Sequence, residues 1–357
     1  QLVYTGLSAY TVIPHNENER WDAEVKSLPE RDIYYYSRYC RLYQMLGEGD
    51  PYLFVYKEGE ENKVIYPFLK RGINIGHEGE RYFDITTPFG YGGPLASVVD
   101  PVLIKRFRTA FHKYCLQENI VTEFIRFHPL LQNEKQYRSF MNVIYVREMV
   151  FIDLRKHPDK IFQEIGKSNR NKIRKAQKAN CVFKVLHSAE AMHYLDQFLA
   201  LYYQTMDRNN ATQFYYFPKS YFERLLTDLP QQVKMTAVFY ENKLVAGDII
   251  FCEGDFINSH VNAGDADYFS MGTNPLLLFK TALWGKQRGF KYIYLGGGYE
   301  KNDSLFKFKL RFNPEGIVHY YTGTKVHIKP IYEKLVNLWR QKHAKEPNTD
   351  YFPLYRQ

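Results

Sequence analysis

Residues 296–312 read Gly-Gly-Gly-Tyr-Glu-Lys-Asn-Asp-Ser-Leu-Phe-Lys-Phe-Lys-Leu-Arg-Phe, and these residue types could do chemistry together. Gly296, Gly297 and Gly298 let the backbone turn and admit a ligand closely. Asp303 is a carboxylate that can orient a polar group or accept a proton. From Phe306 to Phe312 aromatics alternate with cations: Lys307, Phe308, Lys309, Arg311. A mobile ammonium beside a flat apolar face suits a phosphorylated or nucleotide-bearing substrate. The plainer reading is a glycine turn and an amphipathic strand whose lysines stand in water.

Charge is the second signal. The net charge is +9, and residues 155–184 hold ten Lys and Arg against only Asp159 and Glu164. That local +8 is nearly the whole excess. Arg170, Arg174 and Lys178 follow i, i+4, i+8 and share one helical face. Such a face is either merely solvated or meets an anion: nucleic acid, a pyrophosphate-linked lipid or a nucleotide sugar. Just before a later helix stands Ser-Met-Gly-Thr-Asn-Pro, residues 270–275. Gly272, Thr273 and Asn274 there either expose helix N-terminal amides to a phosphate or form an ordinary capped start.

Other chemistries lack their residues. There is no Gly-x-Ser-x-Gly elbow, no Gly-x-x-x-x-Gly-Lys-Ser/Thr loop and no His-Glu-x-x-His pair. Gly296-x-Gly298 lacks the third glycine and following helix of a dinucleotide site. The eleven histidines are scattered, and His260 reads as a core histidine. Cys40, Cys115, Cys181 and Cys252 have no metal-ligand spacing, so reduced thiols in a cytoplasmic protein are expected, with no metal. No apolar run approaches the ~18 residues of a membrane span. Residue 1 is Gln, which leaves open whether the native N terminus is complete.

The elements that must position these residues follow from periodicity. A chain of 357 residues fits two domains. The first half predicts strands at 64–69, 81–87 and 120–127, with an amphipathic helix at 101–118. Residues 84–95, rich in glycine and proline, form either a cleft wall or a tight crossover; Thr86, Thr87 and Tyr91 are its candidate contacts. The second half predicts helices at 160–180 (broken near Gly166), 189–207 and 276–287. It also predicts an antiparallel meander at 234–240, 244–252 and 256–263, then a strand at 292–295. A final helix spans 328–341, and the last residues form a strap. Glu61-Asn-Lys and Glu241-Asn-Lys, like Pro101 and Pro275, recur at offsets of 180 and 174, the mark of a duplicated unit.

Three stretches resemble the FemABX family. One is Leu295-Gly-Gly-Gly followed by Ser304-Leu-Phe-Lys-Phe-Lys309; another is Arg170-Asn-Lys-Ile-Arg-Lys-Ala176; the third runs from Leu201 to Arg208 and on to the aromatic run 214–217. They lie in order over roughly residues 150–315. The resemblance implies an α/β (α+β) chain of tandem GNAT-like acyltransferase domains, each a mixed, largely antiparallel sheet flanked by helices. The expected boundaries are 1–148, 149–330 and a tail at 331–357. It implies transfer of an aminoacyl group from aminoacyl-tRNA, or an acyl group from acyl-CoA, to an amine on a nucleotide- or lipid-linked cell-envelope precursor. Neither donor would be a permanently bound cofactor. Lys309, beside Phe308, matches the motif lysine; Arg208 would clamp phosphates, with a salt bridge to Asp207 or another carboxylate as its alternative. Tyr215 and Tyr216 would line the acceptor channel or pack. In GNAT enzymes the 270–275 position holds the acyl-CoA pyrophosphate, but here its glycine pattern is degenerate. An N-acetyltransferase acting on a nucleotide-linked sugar or polysaccharide precursor, and a non-catalytic polyanion- or RNA-binding protein, remain as alternatives. Peripheral membrane contact fits a lipid-linked acceptor, and the oligomeric state stays open.

Overall fold

The computed structural model describes residues 3–5, 8–74, 81–298 and 301–357. The chain forms two compact units, Gln1–Val146 with Tyr320–Gln357, and Arg147–His319. The expected boundary after 148 lies two residues away, but the expected division at 330/331 does not appear. Everything from Tyr320 onward belongs to the first unit, because Arg356 Nε and Tyr355 Oη bond the fully buried Asp84 carboxylate at 2.6 and 3.0 Å.

The first unit begins β1 (Val3–Thr5), β2 (Ser8–Pro14), α1 (Asn18–Lys26), α2 (Ser37–Met45), β3 (Asp50–Glu58), β4 (Asn62–Ile73), β5 (Tyr82–Thr86), β6 (Leu95–Ala96), α3 (Pro101–Gln117) and β7 (Ile120–Arg126). β1 to β5 pair antiparallel in sequence order, and β7 then lies parallel to β5. A parallel neighbour needs a crossover, which α3 supplies. α3 starts where Asp100 accepts from the Val102 amide and Pro101 fills the first turn. Leu103, Phe107 and Phe111, at helical spacing, bury one face against Phe54, Tyr66 and Phe68. Each such side chain stabilises by about 1.5–3 kcal/mol.

The second unit repeats that plan. β8 (Asn142–Asp153) leads into it, followed by α4 (Pro158–Glu164), α5 (Lys167–Lys178), β9 (Val182–His187), α6 (Ser188–Arg208), α7 (Lys219–Asp228), β10 (Val233–Tyr240), β11 (Lys243–Glu253), β12 (Phe256–Gly264), α8 (Thr273–Gln287), β13 (Tyr292–Gly296) and α9 (Ser304–Leu310). β9 to β12 form the antiparallel meander; β13 is parallel to β12 and antiparallel to β8. α8 is the crossover and is apolar on nearly every side, as a buried helix must be. The chain then returns to the first unit through β14 (Ile317–Val326), which pairs with β7, and α10 (Lys329–His343). The two Glu-Asn-Lys repeats sit in equivalent hairpins, though the first has a three-residue loop and the second two. No helix among the described residues is long and apolar enough to cross a membrane.

One local expectation fails. Residues 304–310 form a helix and not an amphipathic strand, because Asp303 accepts a hydrogen bond from the Phe306 amide at 2.7 Å and starts a helical turn.

Candidate active site

Lys309 stands in the last turn of α9, and the cap at the other end fixes where it points. Phe306 is buried, which anchors the helix, while Phe308 packs edge-on against Phe312 at 5.4 Å. Lys309 Nζ donates to the Gly297 carbonyl at 2.7 Å, and Arg147 Nη1 donates to the Gly298 carbonyl at 2.7 Å. Gly298 has no alternative side chain: any Cβ would collide with the Asp303 carboxylate. The glycine run therefore turns carbonyl oxygens toward two cations. Tyr299 and Glu300, within the same motif, lie outside the described residues.

A second group, which sequence reasoning missed, shares this site. Asp248 lies fully buried in the middle of β11. Its Oδ2 accepts from Ser259 Oγ and, at 3.5 Å, from Asn262 Nδ2, both on β12. Among the described residues its Oδ1 has no hydrogen-bond partner. Burial pushes the Asp248 carboxyl up to about 7, against the opposing pull of Ser259, Asn262 and the Lys309 charge. Burial likewise pushes the Lys309 ammonium down to about 8; Asp248 and Asp303 resist, and Arg147 adds to the depression. Perturbed groups of this kind collect at functional sites. The overlooked signal was one aspartate inside Leu-Val-Ala-Gly-Asp-Ile-Ile-Phe-Cys, a run otherwise fit only for a core.

The remaining predicted residues separate. Asp303 is the α9 cap, so its carboxylate is engaged by backbone before any substrate arrives. Arg208 makes no bond to Asp207: its Nη2 donates to Thr205 Oγ1 at 3.1 Å and to Gly264 O at 3.4 Å, and its guanidinium lies 4.8 Å over Phe269. Gly264 is two residues along β12 from Asn262, which puts this exposed arginine on the strand that supports Asp248. Asp207 instead accepts from Tyr216 Oη at 2.7 Å, and the Tyr215 carbonyl accepts from Tyr202 Oη. His260 is stacked on Phe251 at 4.2 Å and bonded to Tyr221 Oη at 2.9 Å, a packed histidine whose imidazole burial pushes down to about 3.

Gly272 and Thr273 do not offer an open helix terminus. Both are buried, and a Cβ at Gly272, whose φ is +84°, would strike the Lys172 carbonyl of α5. Lys175 Nζ also donates to Ser270 O at 2.8 Å, closing α5 over the turn. Asn274 faces Gly264. On α5 itself, Arg170 Nη1 is used by the carbonyls of Gln163 and Ile165, at 2.6 and 2.8 Å, and so ties α5 to the end of α4. Arg174, over Phe162 at 5.2 Å, and Lys178 stay exposed. In the first unit, Thr86 and Thr87 are buried, and their hydroxyls accept from Arg126 Nη1 and the Arg126 amide at 3.0 Å each. Substrate contact by that pair is thereby corrected to support of Arg126. Tyr91 packs edge-on among Tyr34, His128 and Tyr320.

Comparison with known proteins gives this site a context. Residues 166–309, from the head of α5 to Lys309, match the acetyltransferase (GNAT) domain family. None of the curated proteins matches the chain. Among solved structures, FemX superposes with a TM-score of 0.67 at 14% identity, over 90% of this chain and 99% of that one. The C-terminal domain of a candidate lysylphosphatidylglycerol synthetase from Agrobacterium fabrum gives 0.53 at 14% identity, covering 87% and 92%. A conserved protein of unknown function from Bacteroides thetaiotaomicron gives 0.56 at 12% identity, covering 88% and 98%. At these identities the likeness establishes a shared fold.

Proposed function

From the premise that residues 166–309 are a GNAT acyltransferase domain on a FemX-like fold, we propose that the chain transfers an aminoacyl group from an ester donor of the aminoacyl-tRNA type to an amine. The observation that carries this reading is the Lys309 ammonium, partly withdrawn from water and fixed 2.7 Å from the Gly297 carbonyl at the end of β13. When an amine attacks the donor carbonyl carbon, negative charge grows on the carbonyl oxygen. As the C–O ester bond breaks, charge moves to the leaving ribose oxygen, which ends with the proton that the amine gives up. A positioned ammonium at either oxygen supplies roughly 3–4 kcal/mol.

The domain family implies acyl-CoA as donor. Two features favour a nucleic-acid donor. The α8 N terminus, where an acyl-CoA pyrophosphate would find its amides, is occupied by α5. The exposed cations of α5 also lie within the domain and suit a polyphosphate chain. The acceptor we assign is an amine on a cell-envelope precursor, nucleotide- or lipid-linked, in keeping with the FemABX resemblance and with the neighbour named for a lysylated lipid.

Binding of charged tRNA and of acetyl-CoA over a salt series tests the donor. Aminoacyl transfer predicts tRNA binding whose logarithm falls with log salt by about 0.7–0.9 per phosphate contact. It also predicts a shallower slope when Arg174 and Lys178 are changed to Gln. Saturable acetyl-CoA binding with no tRNA binding would move the protein to N-acetyl transfer. Binding of either donor with turnover unaffected by Lys309→Met would remove Lys309 from the chemistry.

A further inference from the structure

We propose that Asp248 is the positioning residue that keeps Lys309 charged: its carboxyl, fixed from behind by β12, supplies the counter-charge for the ammonium at the end of β13. The proposal rests on the acyl-transfer reading for the purpose of the ammonium, though not for the pairing itself.

The geometry begins in the meander. Asp248 pairs with Asn262 across β11 and β12, and β12 lies beside β13 with Asn258 opposite Tyr294. Two positions beyond Tyr294 the chain reaches Gly296, where a Cβ would sit 3.5 Å from Lys309 Nζ. The lysine head thus lies where β13 ends, next to the strand whose Ser259 and Asn262 hold Asp248. Those two donors occupy only Oδ2. Among the described residues Oδ1 is buried with no hydrogen-bond partner at normal geometry, and a carboxylate oxygen in that state is costly unless a charge or a proton answers it. A neutral residue at this strand position would pack at no such cost, so the aspartate serves something other than the core.

The groups facing the pair are few. Asp248 meets Ser259, Asn262 and the Val261 backbone from β12, and the charge of Lys309 on α9 acts on it without a direct ion pair. Lys309 meets Asp248 from β11, Asp303 from the head of α9 and Arg147 from β8. Both acids favour the charged lysine, Asp248 more than Asp303, and Asp303 in addition caps α9 through its bond from the Phe306 amide. The positions of about 7 for the acid and about 8 for the lysine belong to the pair, which loses its protons in two closely spaced steps.

The test reads Lys309 directly, so that it stands whether or not the donor assignment does. The intact chain is labelled with acetic anhydride at a series of pH values, and acetylation of Lys309 is measured by mass spectrometry against exposed lysines. Wild type should titrate near 8. In Asp248→Asn the midpoint should fall by about one unit, with roughly fivefold more labelling near pH 7. Asn262→Ala and Ser259→Ala, which leave the acid in place but free its Oδ2, should shift the midpoint of Lys309 by a measurable but smaller amount. They serve if Asp248→Asn does not fold. In transfer assays the alkaline limb of kcat should move to lower pH in Asp248→Asn while KM stays within about twofold. A Lys309 midpoint that ignores all three substitutions overturns the proposal. Loss of transfer with no displacement of either profile also overturns it, since that is what a purely structural aspartate would give.

Discussion

At the residue scale, Asp303 and Lys309 divide between them what the sequence assigned to one catalytic cluster. Asp303 caps α9, and the helix it starts is what brings Lys309 onto Gly297. A cap can be kept while its charge is removed, which separates the two roles. Asp303→Ala should cost about 1 kcal/mol of stability in urea unfolding. Asp303→Ser should recover most of that and retain transfer within about threefold. If Asp303→Ser were stable but as inactive as Lys309→Met, the carboxylate would be a proton acceptor after all. Lys309 was legible because its motif is short and local. Asp248 was not, because its meaning depends on α9 and β13, residues some fifty positions downstream that no strand periodicity can connect to it. Thr86 and Thr87 were misread for a related reason: a polar pair in a glycine-rich loop looks available until Arg126 is placed beside it.

Elements explain why a basic helix is only partly a binding surface. The strands, crossover helices and meander of the second unit were legible from alternation and proline position, and the break near Gly166 falls between α4 and α5 as expected. What spacing could not reveal is that the shared face of Arg170, Arg174 and Lys178 has two ends with different work. Arg170 is committed to two carbonyls at the C-terminal end of α4, an arrangement favoured by the partial negative charge there. Arg170→Ala should therefore destabilise the protein by about 1–2 kcal/mol, because charge-assisted bonds to carbonyls are lost. Lys178→Ala should leave stability within about 0.5 kcal/mol, as surface substitutions do. Polyanion affinity should respond the other way round, with Arg174 and Lys178 setting the salt slope. Urea unfolding and a salt titration on the same three variants check both halves. Equal stability losses at Arg170 and Lys178 would mean that the α4 contact contributes nothing.

For the molecule as a whole, each unit carries a buried ionisable group, and the two respond to pH in opposite directions. In the first unit burial alone would raise the Glu123 carboxyl, yet the bidentate Arg108 guanidinium, at 2.8 Å to each oxygen, and His327 hold it well below the usual carboxylate range. Its contribution is present above pH ~4.3, the unfolded value, and is lost only as acid reaches the depressed folded value. In the second unit Asp248 is raised to about 7, so its folded form binds more protons than the unfolded chain between roughly 3.9 and 7. Stability from that group is full below the lower value and lost as pH rises through the upper one. Hydrogen exchange can follow β7 and β11 separately, with rates corrected for the intrinsic effect of pH. From pH 5 to pH 7.5, β11 in wild type should lose protection on the order of 2 kcal/mol relative to Asp248→Asn, while β7 should lose none, since Glu123 is ionised throughout and burial lowers the neighbouring His112, which favours the folded state as pH rises. A wild-type-to-variant difference that does not change over that range would refute a carboxyl held back by burial. It would mean that Asp248 is already ionised at pH 5, with Lys309 neutralising it fully.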